Sequence, residues 1–129
     1  MRLLLDSHVF LWWQSSAPQL DGSVVETIAS ADEVFVSAAT TCELGLKSAL
    51  GKRHLPEPVE DAVLAAGFTE LPVSFAHTRA AVALPMHHRD PFDRILIAQA
   101  VCEKLTLVTA DEQLQRYDAT ILPVHSHRR

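Results

Sequence analysis

Four acidic side chains, Asp6, Glu43, Asp93 and Asp111, stand out because each lies where an apolar run meets a helix or a turn. Carboxylates gathered in one place repel one another and raise their own pKa values unless a cation neutralises them. Oxygen ligands completed by water suit a hard divalent ion, Mg²⁺ or Mn²⁺, and no Cys/His cluster competes for the assignment. The chemistry suited to such a centre is phosphodiester hydrolysis, with one or two ions activating water, orienting the phosphate and stabilising the leaving oxygen. Each acid also has a plain explanation by itself. Asp6 can cap a helix, Glu43 can be an exposed helical residue, Asp111 can belong to a turn, and Asp93 can answer Asp90 in a variant capping box.

The elements that must position these acids follow from periodicity. Arg2 to Leu5 reads as a buried strand ending at Asp6, with a helix from Ser7 or His8 and a second helix from about Asp21 to Ala31. Residues 33–37 are β-branched and aromatic enough for a second strand. Glu43 lies on the helix after it, which Gly51 stops. A helix from Val59 to Ala66, a brief strand at 69–73 and a helix from Phe75 to Leu84 precede a loop at 85–89. Asp90 is the N-cap of the next helix and Pro91 its first residue, with Asp93 one turn in, where the helix dipole favours negative charge. That helix runs to about Lys104, and strands at 105–109 and 120–124 complete the chain. Strands alternating with helices predict a parallel sheet of four to five strands, covered on both faces. In such a sheet Asp6, Glu43 and Asp111 all approach the edge where the strands end, and Asp93 joins them from the helix before the last of these strands. Ser7 and Thr109 are placed to hydrogen-bond behind the acids.

Composition narrows the partners. At 129 residues, with 48% hydrophobic and 21% charged residues, the chain fits one globular domain spanning 1–129. Asp6 interrupts the first apolar run too early for a signal peptide, and no run approaches the roughly 20 residues of a membrane span, so a cytoplasmic protein is expected. Cys42 and Cys102 show no ligand spacing and read as buried thiols. The formal charge of −5 argues against coating a nucleic acid by net electrostatics. A polyanionic substrate therefore needs a local remedy, divalent cations held by the acids together with basic residues such as Lys47, Lys52, Arg89 and Arg94. Trp12 and Trp13 fit either the core or a partner groove. The tail of His125, His127 and their neighbours reads as mobile, with metal binding as a minor alternative.

The stretches Leu3-Leu4-Leu5-Asp6-Ser7-His8, Ser37 to Lys52 around Glu43, His88-Arg89-Asp90-Pro91-Phe92-Asp93-Arg94 and Thr109-Ala110-Asp111 together resemble a PIN domain. More narrowly, they resemble the VapC toxins of type II toxin–antitoxin pairs. The resemblance covers nearly the whole chain, and Asp-Pro-Phe-Asp-Arg is its most specific part. It departs at Cys42, where a tryptophan is common before the acid, which bears on local packing more than on chemistry.

This resemblance implies a three-layer α/β/α fold, Mg²⁺- or Mn²⁺-dependent endoribonuclease activity, a homodimer, and neutralisation by a cognate VapB-like antitoxin. Carried over residue by residue, the catalytic and metal-holding acids are Asp6, Glu43, Asp93 and Asp111, with Thr109 beside them and Asp90 left as the cap. Lys47, Lys52, Arg89 or Arg94 would bind the RNA backbone. Two other classes gather similar features. A receiver-type phosphoryl-transfer module lacks support because Asp6 has no neighbouring D-x-D pattern. A non-catalytic PIN-like module that only binds RNA or protein is separated by whether RNA is cleaved.

Overall fold

The computed structural model describes residues 1–125, so the last four residues of the expected tail, His127 among them, lie outside the described residues. Five parallel strands, β1 (Arg2–Leu5), β2 (Glu33–Ser37), β3 (Thr69–Leu71), β4 (Thr106–Thr109) and β5 (Ile121–Pro123), form one sheet in the order β3-β2-β1-β4-β5. The first strand of the sequence is thus the middle strand of the sheet. Leu5 pairs with Val36 on one side and with Val108 on the other.

Strand alternation divides the interior into two layers. Leu3 and Leu5 face a core built with Val9, Phe10, Val24, Ile28, Leu44 and Val63, from the helices α1 (Ser7–Gln14), α2 (Gly22–Ser30), α3 (Ala38–Ala49) and α4 (Val59–Ala65). Leu4 faces the other core, with Leu96, Ile97, Ala100, Leu107, Leu114 and Tyr117. This second layer holds α6 (Pro91–Glu103), against which α5 (Phe75–Ala83) packs, and a short 3₁₀ turn at Leu114–Arg116 that the sequence pattern had not indicated. The leucines of β1 are fully buried, each contributing about 1.5–3 kcal/mol from area removed from water.

The expected helix boundaries hold within a residue or two. Asp6, Asp21, Ser37, Ser74 and Asp90 cap their helices through side-chain oxygens. Gly51 follows the end of α3 at φ 73°, the left-handed geometry that stops a helix. Among the described residues no helix is long and apolar enough to cross a membrane. The cysteines correct the expectation of buried thiols. Both are free and exposed, because the inward positions of α3 and α6 are taken by residues such as Leu44 and Ile97.

Candidate metal centre

Because all five strands are parallel, their carboxyl ends and the helix N-termini that follow share one edge. Asp6 enters this edge at the end of β1. Its Oδ1 accepts the Val9 backbone N–H at 2.8 Å, capping α1, and its Oδ2 accepts the Thr109 hydroxyl. Thr109 in turn accepts the Asp111 backbone N–H at 3.0 Å, so one hydroxyl ties the ends of β1 and β4 together. Asp111 is fixed further by its Oδ1, which accepts the Gln113 N–H at 2.8 Å.

Glu43 comes from the second turn of α3. Its Oε1 accepts the Ser7 hydroxyl at 2.6 Å and its Oε2 pairs with Lys47 Nζ at 3.1 Å. Asp93 arrives from the first turn of α6, whose N-terminus is closed by Asp90 Oδ1 accepting the N–H groups of Phe92 at 2.8 Å and Asp93 at 3.1 Å. The carboxylate of Asp93 is left free of that cap, and its Oδ2 meets His88 Nε2 at 3.0 Å. The same nitrogen lies 3.4 Å from Asp111 Oδ2.

The electrostatics record the crowding. Burial pushes the Asp93 carboxyl up to about 7, the charges of Asp90, Glu43 and Asp6 add to the shift, and His88 opposes it. Burial also raises Asp6, against the hydrogen bonds from Thr109 and Val9, with Asp111 adding repulsion. These couplings bring all four predicted acids into one electrostatic neighbourhood. The ligand atoms of His88, Asp93 and Asp111 all lie within 4.8 Å of one another, the one such group among the described residues. Asp6 and Glu43 stand beside that group, each held by its own donors. A set dominated by carboxylate oxygens with uncompensated charge fits a hard divalent cation.

Four side chains were not assigned these positions by sequence reasoning. His88 belongs to the quoted motif, yet nothing in its spacing shows that its ring turns toward two carboxylates. Arg94 was expected among RNA-binding residues, and the structure corrects this. Its side chain is buried and its guanidinium donates to the carbonyls of Ala81, Leu84, Pro85 and His88 at 2.7–3.0 Å, so it braces the loop that carries His88. Tyr117 completes the brace, accepting the His88 N–H and donating to the Pro85 carbonyl, both at 2.9 Å. Cys42, despite preceding Glu43, points to solvent.

Of the other basic residues, Lys52 and Arg89 are exposed and Lys47 is partly exposed beside Glu43. Ser7 donates its hydroxyl to Glu43 and Thr109 donates its hydroxyl to Asp6. Trp12 and Trp13 are packed against the first core and also line a groove with Ala17, Pro18 and Val25.

Comparison with known proteins agrees with this architecture. The PIN domain family matches residues 3–120. The chain is 32% identical over 118 residues to ribonuclease VapC22 of Mycobacterium tuberculosis, covering 89% of this chain and 91% of that protein. Its fold is similar to that of VapBC2 from Rickettsia felis bound to a promoter DNA fragment, with a TM-score of 0.72 at 16% identity over 95% of this chain and 98% of the other. A toxin–antitoxin complex from Klebsiella pneumoniae gives a TM-score of 0.71 at 15% identity, over 97% and 99%. With the sheet order, the strand-edge acids and a curated relative along most of its length in agreement, the chain belongs to the PIN domain family, with the VapC proteins.

Proposed function

We propose that this protein is a divalent-metal-dependent endoribonuclease and the toxin of a toxin–antitoxin pair. The observation that carries the reading is the meeting of Asp93 and Asp111 within a neighbourhood that Asp6 and Glu43 also charge. Asp93 and Asp111 would hold the ion, with Asp6 and Glu43 completing the acidic wall. Mg²⁺ or Mn²⁺ bound there supplies positive charge for the RNA phosphate and makes a water molecule more acidic.

The chain's own residues supply the rest. Thr109 fixes the Asp6 carboxylate, and Ser7 and Lys47 fix that of Glu43, so neither acid has to reorganise when substrate arrives. The ion-free Asp93 carboxyl, near 7, can hold or release a proton at neutral pH. The exposed Arg89 and Lys52 offer charge to the RNA backbone on a chain whose net charge repels it. The similarity to a VapC ribonuclease and to chains solved as toxin–antitoxin complexes supports an RNA substrate, a VapB-like antitoxin partner, a homodimer and action in the cytoplasm, with residues 1–129 forming one domain.

The test is cleavage of RNA by the purified chain with Mg²⁺, with Mn²⁺ and with chelator. Cleavage that needs the ion and disappears in Asp6→Asn and Asp93→Asn, both still folded, is expected. Cleavage in chelator, or retained by both variants, sinks the proposal. RNA binding without cleavage favours a non-catalytic module.

A further inference from the structure

A second cavity opens beside Asp111, on the edge that carries the acids. It measures about 650 Å³, inside the range of roughly 300–1,000 Å³ typical of small-molecule sites. Asp111, Glu112, Gln113 and Gln115 line it, together with Val124 and His125 from the chain after β5. The backbone around it is fixed. Leu114 and Tyr117 are buried and hold the 3₁₀ turn that carries Gln115. Asp111 Oδ1 accepts the Gln113 N–H at 2.8 Å, and the Val124 N–H donates to the Thr109 carbonyl at 2.8 Å. Asp111 is common to this cavity and to the candidate metal centre, so a group seated in the one adjoins whatever is held at the other.

The polar side chains of the lining are two carboxylates, two primary amides and an imidazole, and among the described residues it includes no lysine or arginine. Such a lining disfavours a phosphate and suits an uncharged group with hydrogen-bonding edges. In single-stranded RNA that group is a base, read on its Watson–Crick edge. Glu112 and Gln115 are exposed and can turn toward such an edge. A carboxylate only accepts, so Glu112 is best satisfied by two neighbouring donors. Guanine alone among the four bases presents them, at N1 and N2, and a glutamine amide can donate to its O6. We propose that this cavity reads a guanine flanking the phosphate to be cut, with Glu112 accepting from N1 and N2 and the glutamine amides donating to O6. This rests on the reading of the adjoining acids as an RNA-cleaving metal centre, to which it adds a base preference.

The four ribonucleosides, which carry no phosphate and cannot be cleaved, probe the cavity without ion or activity. In nitrogen–proton NMR of the full chain, guanosine should shift the side-chain amide signals of Gln113 and Gln115. It should bind about ten- to a hundredfold tighter than adenosine, cytidine or uridine, the worth of one bidentate base contact. Glu112→Gln should erase that preference. Guanosine that leaves these signals unmoved, equal binding of all four, a preference for another base, or a guanosine preference that survives in Glu112→Gln overturns the proposal. Cleavage of RNA of mixed sequence with Mg²⁺ supplies the second measurement. Cuts should fall next to guanine in the wild type and spread over the four bases in Glu112→Gln, and wild-type cuts that ignore the neighbouring base overturn the proposal. If the wild type cuts no RNA, the nuclease reading fails, and the nucleoside titration still decides whether the cavity takes guanine.

Discussion

At each end of α6 a histidine accepts a backbone N–H on Nδ1, and the two keep different company beyond it. At its C-terminal end His77, on the neighbouring α5, accepts the Ser74 backbone N–H on Nδ1 at 3.0 Å and meets Glu103 with Nε2 at 2.8 Å. At its N-terminal end His88 accepts the Asp90 N–H on Nδ1 and meets two carboxylates with Nε2. In both, a backbone donor selects the tautomer. The acids differ. The side chain of Glu103 is 43% exposed, whereas that of Asp93 is 21% exposed and lies among other acids. A histidine–carboxylate pair by itself is therefore structural, and confinement of further carboxylates around it is what creates a demand for a cation.

The largest test of this contrast is aimed at the support beneath the charged end. Arg94→Met leaves several loop carbonyls without a buried donor and should cost about 3–5 kcal/mol in urea unfolding. Full stability in this variant would remove the brace from the account. Asp93→Asn should lower RNA cleavage at least about 100-fold while circular dichroism stays unchanged.

The next effect in size is pH dependence. The folded, ion-free chain binds a proton at Asp93 up to about pH 7, whereas an unfolded aspartate releases it near 4, so stability contributed by this group is present at low pH and is lost as pH rises through that window. Asp6, also raised, has the same sign. The melting temperature without ions should fall between pH 5 and pH 8, Mg²⁺ should restore it, and Asp93→Asn should flatten the dependence. At the other end of the helix, His77→Ala should cost about 1–2 kcal/mol and leave Mn²⁺ affinity untouched. A change in ion affinity there would erase the distinction between the two ends. Smallest of all, Lys47→Ala breaks a partly exposed i,i+4 pair and should cost under about 0.5 kcal/mol in stability.

The elements were legible because their cues are local. Asp90-Pro91 marks a helix start, Gly51 a helix stop, and the apolar runs before Asp6 and Asp111 mark buried strands. The four acids were legible because a parallel sheet sends every strand end to the same edge. What escaped reading depends on chain folded around a side chain. Arg94 looks like a surface cation beside an acidic cap, and its role appears only when residues 81–88 wrap their carbonyls about it. Helical spacing held one clue, since Arg94 shares a face with Ile97 and Ala98, both buried. The orientation of the His88 ring had no comparable clue, because it depends on a buried tyrosine 29 positions away.

The central place of the opening strand also bears on how the protein is made. Asp6 leaves the ribosome ahead of Thr109, which holds its carboxylate and lies 103 positions behind it, and β1 has no partner on that side until β4 is translated. A nascent chain therefore carries the pieces of the cleft without the cleft itself. Synthesis thus orders assembly: the Asp6 carboxylate gains its Thr109 partner, and β1 its second neighbour, only once β4 has been made.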